Sequence, residues 1–250
     1  LQLKTKIKNK EIKKMKFDVH ISVSKIKKYA TSASGDTVEV TERPQGGVSV
    51  VLADGQSSGK GAKWVSTFVV RKVITLLAEG VRDGAAARAA SDSLFTERGG
   101  RVSAALNIIS VDNQSKTMVI TRNNPAPALL VDGNTQLLNE HVDPIGIYRG
   151  TRPNITEISL KTGITGIVYS DGLVHCGTRY GEKFDVVSYI NDLTKTENIS
   201  SKEIADCLLK YALKLDKGRP ADDISIVVVK VEAPSGDEVR RMSVRLPLGN

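Results

Sequence analysis

Four aspartates in this chain, Asp36, Asp54, Asp171 and Asp222, each stand at an end of a run that reads as a β-strand. Asp54 and Asp171 are followed directly by glycine. A carboxylate at the end of a rigid strand is a charge held on a scaffold that does not move. Four such groups gathered in one cleft would repel one another and take up protons unless a cation balanced them. Oxygen donors, with no His or Cys at ligand spacing, select hard ions such as Mg²⁺ or Mn²⁺. The same residues also suit four unrelated turns, since Asp favours turns for local reasons. Both readings stand at this point.

Other chemistries find less support. The segment after Asp54, Gly55-Gln56-Ser57-Ser58-Gly59-Lys60-Gly61, resembles a phosphate-cradling nucleotide loop but is one residue too short. Gly61 also occupies the place where such a loop needs Ser or Thr. His20, His141 and His175 are the three histidines, and none forms a convincing triad with a Ser or Cys. Cys176 and Cys207 show neither a disulfide framework nor metal-ligand spacing, and read as reduced thiols.

The elements that must position the aspartates follow from periodicity. Val48 to Leu52 is a β-branched apolar run that reads as a buried strand ending at Asp54. Ser34 to Val40 reads as a strand that a turn at Arg43–Gly47 returns as that same strand, so the hairpin brings Asp36 beside Asp54. A helix from about Gly61 to Glu79 shows an apolar face at Val65, Phe68/Val69, Lys72/Val73 and Leu76, with one mixed position. Asp83 opens an alanine-rich helix to about Arg98. Strands return at Val102–Ser110, Lys116–Arg122 and Ala128–Val131, the last followed by the Asp132-Gly133 hairpin signal. Ile155–Leu160 and Ile164–Tyr169 flank a turn at Lys161-Thr162-Gly163, and the second ends at Ser170-Asp171-Gly172. Two helices follow, the later one opened by a Ser200/Glu203 capping box. Ile224–Val231 is the last clear strand. Phe17–Val23 alternates strictly, with its apolar side on odd positions. Antiparallel-looking strand runs between helix pairs predict an α+β fold.

The chain has 250 residues, is 40% hydrophobic and carries a formal charge of +8. Ten lysines against Glu11 and Asp18 within residues 1–28 account for that whole charge. Residues 1–16 are therefore expected to be a basic, disordered arm, with residues 1–14 foreign to the fold because Met15 could be a natural start. Residues 17–232 form the domain, and 233–250 a tail or an extra edge strand. A neutral domain, only 4% of whose residues are aromatic, argues against nucleic acid as partner. No apolar run approaches membrane-spanning length and no signal peptide is visible, so a cytoplasmic protein with no membrane association is expected.

The order of short motifs resembles a known family. Ser34-Gly35-Asp36, Ala53-Asp54-Gly55 with Gly59-Lys60-Gly61, Asn123-Asn124-Pro125-Ala126-Pro127, Asp143-Pro144-Ile145-Gly146-Ile147, Tyr169-Ser170-Asp171-Gly172, Gly181-Glu182 and Ala221-Asp222-Asp223-Ile224-Ser225 follow one another. This series is similar to the metal-dependent protein phosphatases of type 2C, in their bacterial SpoIIE-like branch, over roughly residues 17–232. The resemblance implies a four-layer α-β-β-α sandwich of two mainly antiparallel sheets flanked by helix pairs. It implies a serine/threonine phosphatase that uses two Mn²⁺ or Mg²⁺ ions and a cation-activated water. By position, Asp54 would bridge both ions, Asp171 and Asp222 would complete one, and the Gly55 carbonyl would bind the other. Asp36 would sit at the edge of the site, and Asp223 ranks below Asp222. The implied partner is a phosphorylated protein, of the anti-anti-sigma class in bacterial relatives.

Two departures stand out. Gln56 replaces a histidine that many type 2C enzymes carry two residues after the bridging aspartate, and no counterpart of their phosphate-binding arginine is visible near the N-terminus. His175 reads as a plain loop residue, and Lys60 and Lys63 as a solvated helix start. The rival readings are a catalytically weak or inactive phosphatase-fold protein that binds phosphoproteins, and a phosphatase of small phosphoesters.

Overall fold

Along Val50-Val51-Leu52-Ala53 every side chain is buried, although neighbours on a strand point to opposite faces. Such a strand needs cover on both sides, and the architecture supplies it. A computed structural model describes residues 16–195 and 199–247. Its elements are β1 (Asp18–Ile26), β2 (Asp36–Glu42), β3 (Gly47–Gly55), α1 (Gly59–Ala78), α2 (Asp83–Arg98), β4 (Ala104–Asp112), β5 (Thr117–Asn123), β6 (Ala128–Asp132) and β7 (Asn134–Leu138). After these come β8 (Asn154–Ser159), β9 (Thr165–Tyr169), α3 (Asp171–His175), a 3₁₀ turn (Thr178–Tyr180), α4 (Val186–Thr194), α5 (Ser201–Leu215) and β10 (Ile224–Glu232).

The strands form two five-stranded antiparallel sheets, ordered β1-β10-β9-β6-β7 and β2-β3-β4-β5-β8. Three apolar clusters mark three interfaces. Val50, Leu52, Ile109, Ile120, Val227 and Val229 fill the space between the sheets. Val51, Ala53 and Ile108 meet Val69, Val73 and Ala87 of α1 and α2. Ile167, Ile226 and Val228 meet Ile190, Ile204 and Leu208 of α4 and α5. The four-layer α-β-β-α sandwich is thus observed.

The structure corrects some expectations and sharpens others. The buried face of α1 runs through Val70 and Leu77, and Leu76 is only partly buried. Val23 keeps the odd parity of β1 but is 42% exposed, because β1 is the edge strand of its sheet. The turn at Lys161–Gly163 is present as expected, and it joins the two sheets: β8 pairs with β5 in one, and β9 with β6 and β10 in the other. Of the two alternatives for the C-terminal end, the described residues 233–247 form a tail without a strand, held by side chains such as Arg240 on Glu42. The arm through residue 15 lies outside the described residues. No helix among them is long and apolar enough to cross a membrane.

The capping box is present as expected. Ser200 accepts from the Glu203 amide at 3.2 Å, and Glu203 accepts from the Ser200 amide at 2.8 Å. Ser200→Ala should cost about 1 kcal/mol, seen as a fall in Tm of about 2–4 °C by thermal denaturation.

Candidate active site

Antiparallel pairing decides where the carboxylates meet. β2 and β3 pair in register with Asp36 opposite Asp54, so the two side chains leave one face of the sheet as cross-strand neighbours. β9 ends at Tyr169 and β10 begins at Ile224, which puts Asp171 and Asp222 at matching ends of adjacent strands in the other sheet. The Ser170 amide donates to the Ser225 carbonyl at 3.0 Å, and the Ser225 amide to Ser170 Oγ at 2.9 Å, knitting these ends together. All four aspartates therefore gather where the two sheets open at one end of the sandwich.

Their electrostatics record the crowding. Burial, then Asp36, Asp171 and Asp222, push the Asp54 carboxyl up to about 9. Burial raises Asp36 as well, and burial followed by Asp222 raises Asp171, with His175 pulling the other way. Asp36 is fully buried, and neither of its carboxylate oxygens has a hydrogen-bond partner of good geometry. The Ser225 hydroxyl, the Lys25 charge and the Ser170 hydroxyl favour its ionised form without outweighing burial, and a carboxylate so buried is costly unless a further positive group meets it. Oxygen-only donors, mutual repulsion and a buried carboxylate without a well-formed hydrogen bond together fit a hard divalent cation. Among the described residues no three Asp, Glu, His or Cys side chains stand close enough together to hold a metal ion by themselves. The cluster is open, and the remaining coordination positions would fall to water and main-chain carbonyls, as suits Mg²⁺.

The two Asp-Gly pairs are not turns. Gly55 lies inside β3 and Gly172 inside α3, and neither has a positive φ. A Cβ at Gly55 would stand 2.1 Å from the Ala62 carbonyl oxygen, and one at Gly172 the same distance from the Asp223 carbonyl oxygen. Glycine here lets backbone approach backbone, drawing the start of α1 and the start of α3 onto the strand ends that carry the carboxylates.

Other residues lock the frame. Asp223 is spent on structure, accepting from the Lys28 amide at 2.8 Å and the Gly35 amide at 2.7 Å. It clamps the start of β10 to the residue before Asp36, which leaves Asp222 as the carboxylate facing Asp54 and Asp171. Gln56 is held by Ser103, whose amide donates to Gln56 Oε1 at 2.9 Å. Asn124 donates to the Tyr169 carbonyl at 2.9 Å, two residues before Asp171. Asp36 lies beneath the others, fully buried, while Asp54 is the carboxylate that meets Asp36, Asp171 and Asp222 together. His175 closes the short helix α3 and is exposed. It is not a loop residue.

Lys63 is no solvated helix start. Its Nζ donates to the Asp36 carbonyl at 2.9 Å and to Thr37 Oγ1 at 2.8 Å. Lys25 Nζ donates to the same carbonyl at 2.5 Å. Sequence reading passed over Lys25, although it shares the odd parity of Val19, Ile21 and Val23 in β1, and a cation on an apolar parity is a usable signal. Lys60, by contrast, is exposed. Lys63→Met should raise the Mn²⁺ concentration needed for half-maximal thermal stabilisation by about tenfold, the scale of losing a group that orients a ligand. A titration of Tm against Mn²⁺ checks this, and an unchanged midpoint would show that Lys25 alone suffices.

Comparison with known proteins agrees with the fold. The family model described as stage II sporulation protein E (SpoIIE) matches residues 44–232. Stage II sporulation protein E of Bacillus subtilis (strain 168) is 22% identical over 200 residues, covering 80% of this chain and 24% of that protein. This chain thus spans about a quarter of that relative's length. Among solved structures, the PP2C phosphatase domain with a regulatory fragment of B. subtilis SpoIIE superposes with a TM-score of 0.75 at 21% identity, covering 88% of this chain and 64% of that one. The catalytic domain of the serine/threonine protein phosphatase PstP, solved with two manganese ions, gives a TM-score of 0.64 at 15% identity, covering 87% of this chain and all of that one.

Proposed function

Because the chain belongs to the stage II sporulation protein E (SpoIIE) family and has the PP2C-type serine/threonine phosphatase fold, we propose that it hydrolyses phosphoserine and phosphothreonine on a protein substrate, using two Mn²⁺ or Mg²⁺ ions. The observation that carries this reading is the buried Asp36 carboxylate, set opposite Asp54 and without a hydrogen bond of good geometry on either oxygen. Asp54 would be shared by the two ions, with Asp171, Asp222, Asp36 and the Gly55 carbonyl as the further protein donors. Two such cations supply a charge screen for the phosphate and a water acidic enough to attack phosphorus near neutral pH.

The chain's own residues hold this arrangement still. Lys25 and Lys63 fix the Asp36 end of β2, Asp223 fixes the loop before it, and Ser170 with Ser225 sets the spacing of the Asp171 and Asp222 strands. Positioning of this kind favours the reacting geometry before substrate arrives. The chemistry asks for no protein nucleophile. Consistently, burial pushes the Cys176 thiol up to about 12, and a thiol that stays protonated is inert. The substrate class we infer is a phosphorylated regulator of the anti-anti-sigma type.

Phosphate release from a phosphoserine peptide, with Mn²⁺, with Mg²⁺ and with EDTA, tests the proposal. Turnover is expected with either cation and none in EDTA. A folded protein that releases no phosphate with either cation would overturn it and leave a phosphoprotein-binding role.

A further inference from the structure

Helix α1 carries Lys60, Lys63, Arg71 and Lys72 and no acidic residue at all. Lys60, Lys63, Trp64, Thr67, Phe68, Arg71, Lys72 and Thr75 recur every three or four residues, which puts them on one side of the helix. With Ser93 of α2 they line a shallow groove of ≈ 710 Å³. Trp64 is 38% exposed, stacks on Phe68 with ring centroids 5.2 Å apart, and lies under the Arg98 guanidinium at 3.8 Å. Among the described residues, Lys60, Arg71, Lys72 and Arg98 take part in no salt bridge.

A helix face kept only for solubility mixes both signs of charge and avoids exposed aromatics. This one does neither, although residues 29–250 are formally neutral. Exposed Trp and Arg packed against each other are the residue types that dominate protein interfaces. The groove also adjoins the carboxylate cluster, since Lys63, on its wall, donates to the Asp36 carbonyl. We propose that this groove docks an acidic segment of the phosphoprotein substrate, lying along α1 while the phosphorylated residue reaches the aspartates. The proposal rests on the phosphatase reading for the identity of the partner. Nucleic acid fits less well, because Phe68 and Arg98 already occupy the π-surface of Trp64 that a base would stack on. The basic arm of residues 1–16 is excluded as occupant by its like charge.

The test compares wild type with the double variant Arg71→Glu/Lys72→Glu, both side chains being exposed and outside the carboxylate cluster. Three substrates are used: a phosphoserine peptide flanked by four glutamates, the same peptide with glutamines, and p-nitrophenyl phosphate. The expected result is a KM about tenfold higher for the acidic peptide alone, an effect that shrinks in 0.5 M salt. A second readout is independent of turnover. Trp64 is the only tryptophan, so its fluorescence reports groove occupancy when the unphosphorylated acidic peptide is titrated in. Saturation in wild type that is lost in the double variant supports docking even if no phosphate is released, in which case only the phosphatase reading falls. Normal turnover with an unchanged KM in the variant overturns docking and leaves the phosphatase reading standing. Tighter fluorescence saturation by a single-stranded 20-mer DNA than by the peptide would overturn the choice of a protein partner.

Discussion

Asp54→Asn is expected to lower kcat for a phosphoserine peptide in Mn²⁺ by about 10³-fold or more, while raising the thermal stability of the protein in EDTA. The substitution keeps the shape of the side chain and removes one charge from a crowded group. The loss of activity follows from the central place of Asp54, which feels Asp36, Asp171 and Asp222 at once. The gain in stability follows from the sign of its shift. Asp54 rises from an ordinary carboxyl value of 3.8 to about 9 in the fold, chiefly through burial. A carboxyl raised in this way favours folding least where it must ionise, so the cation-free protein loses stability as pH climbs from about 4 towards 9. Asparagine removes that penalty. A gain of 1–2 kcal/mol would raise Tm by about 2–8 °C at this chain length. Calorimetry in EDTA at pH 8 and phosphate release in Mn²⁺ read the two effects separately. A variant that loses activity and stability together would mean that Asp54 is a structural residue, and the site assignment would fall.

Gly172→Ala and Gly55→Ala should both destabilise the protein by more than about 2 kcal/mol, whereas Gly61→Ala, six residues past Gly55, should stabilise it by about 0.5–1 kcal/mol. The opposite signs come from what each new Cβ would meet. At Gly55 and Gly172 the nearest atom is a backbone carbonyl oxygen at 2.1 Å, which no side-chain rotation can relieve. The start of α1, or of α3, must then move away from the strand end it covers, so activity should fall with stability. At Gly61 nothing lies within 4 Å, φ is not positive, and alanine is the better helix former. Urea unfolding of the three variants measures the signs directly. Equal, small effects at all three would show that the Asp-Gly pairs are ordinary loop sequence.

Sequence and tertiary structure contributed different things here. Local pattern determined most elements, because burial face and capping are short-range properties. The β-branched run before Asp54, the helix from Asp83 to Arg98 and the Ser200/Glu203 box all appear as read. The Arg43–Gly47 turn even set the register that puts Asp36 opposite Asp54, since a hairpin couples its own two strands. Which sheet a strand joins is a long-range choice, so the turn at Lys161–Gly163 looked like any other while in fact crossing between sheets. The tertiary structure alone placed Lys25 and Lys63 on one carbonyl, 38 residues apart in the chain, and spent Asp223 as a clamp rather than as a member of the carboxylate group. It also gave Gly55 and Gly172 their reason. Sequence could see that glycine followed aspartate, but only the folded backbone shows that another segment's carbonyl fills the space where a Cβ would be.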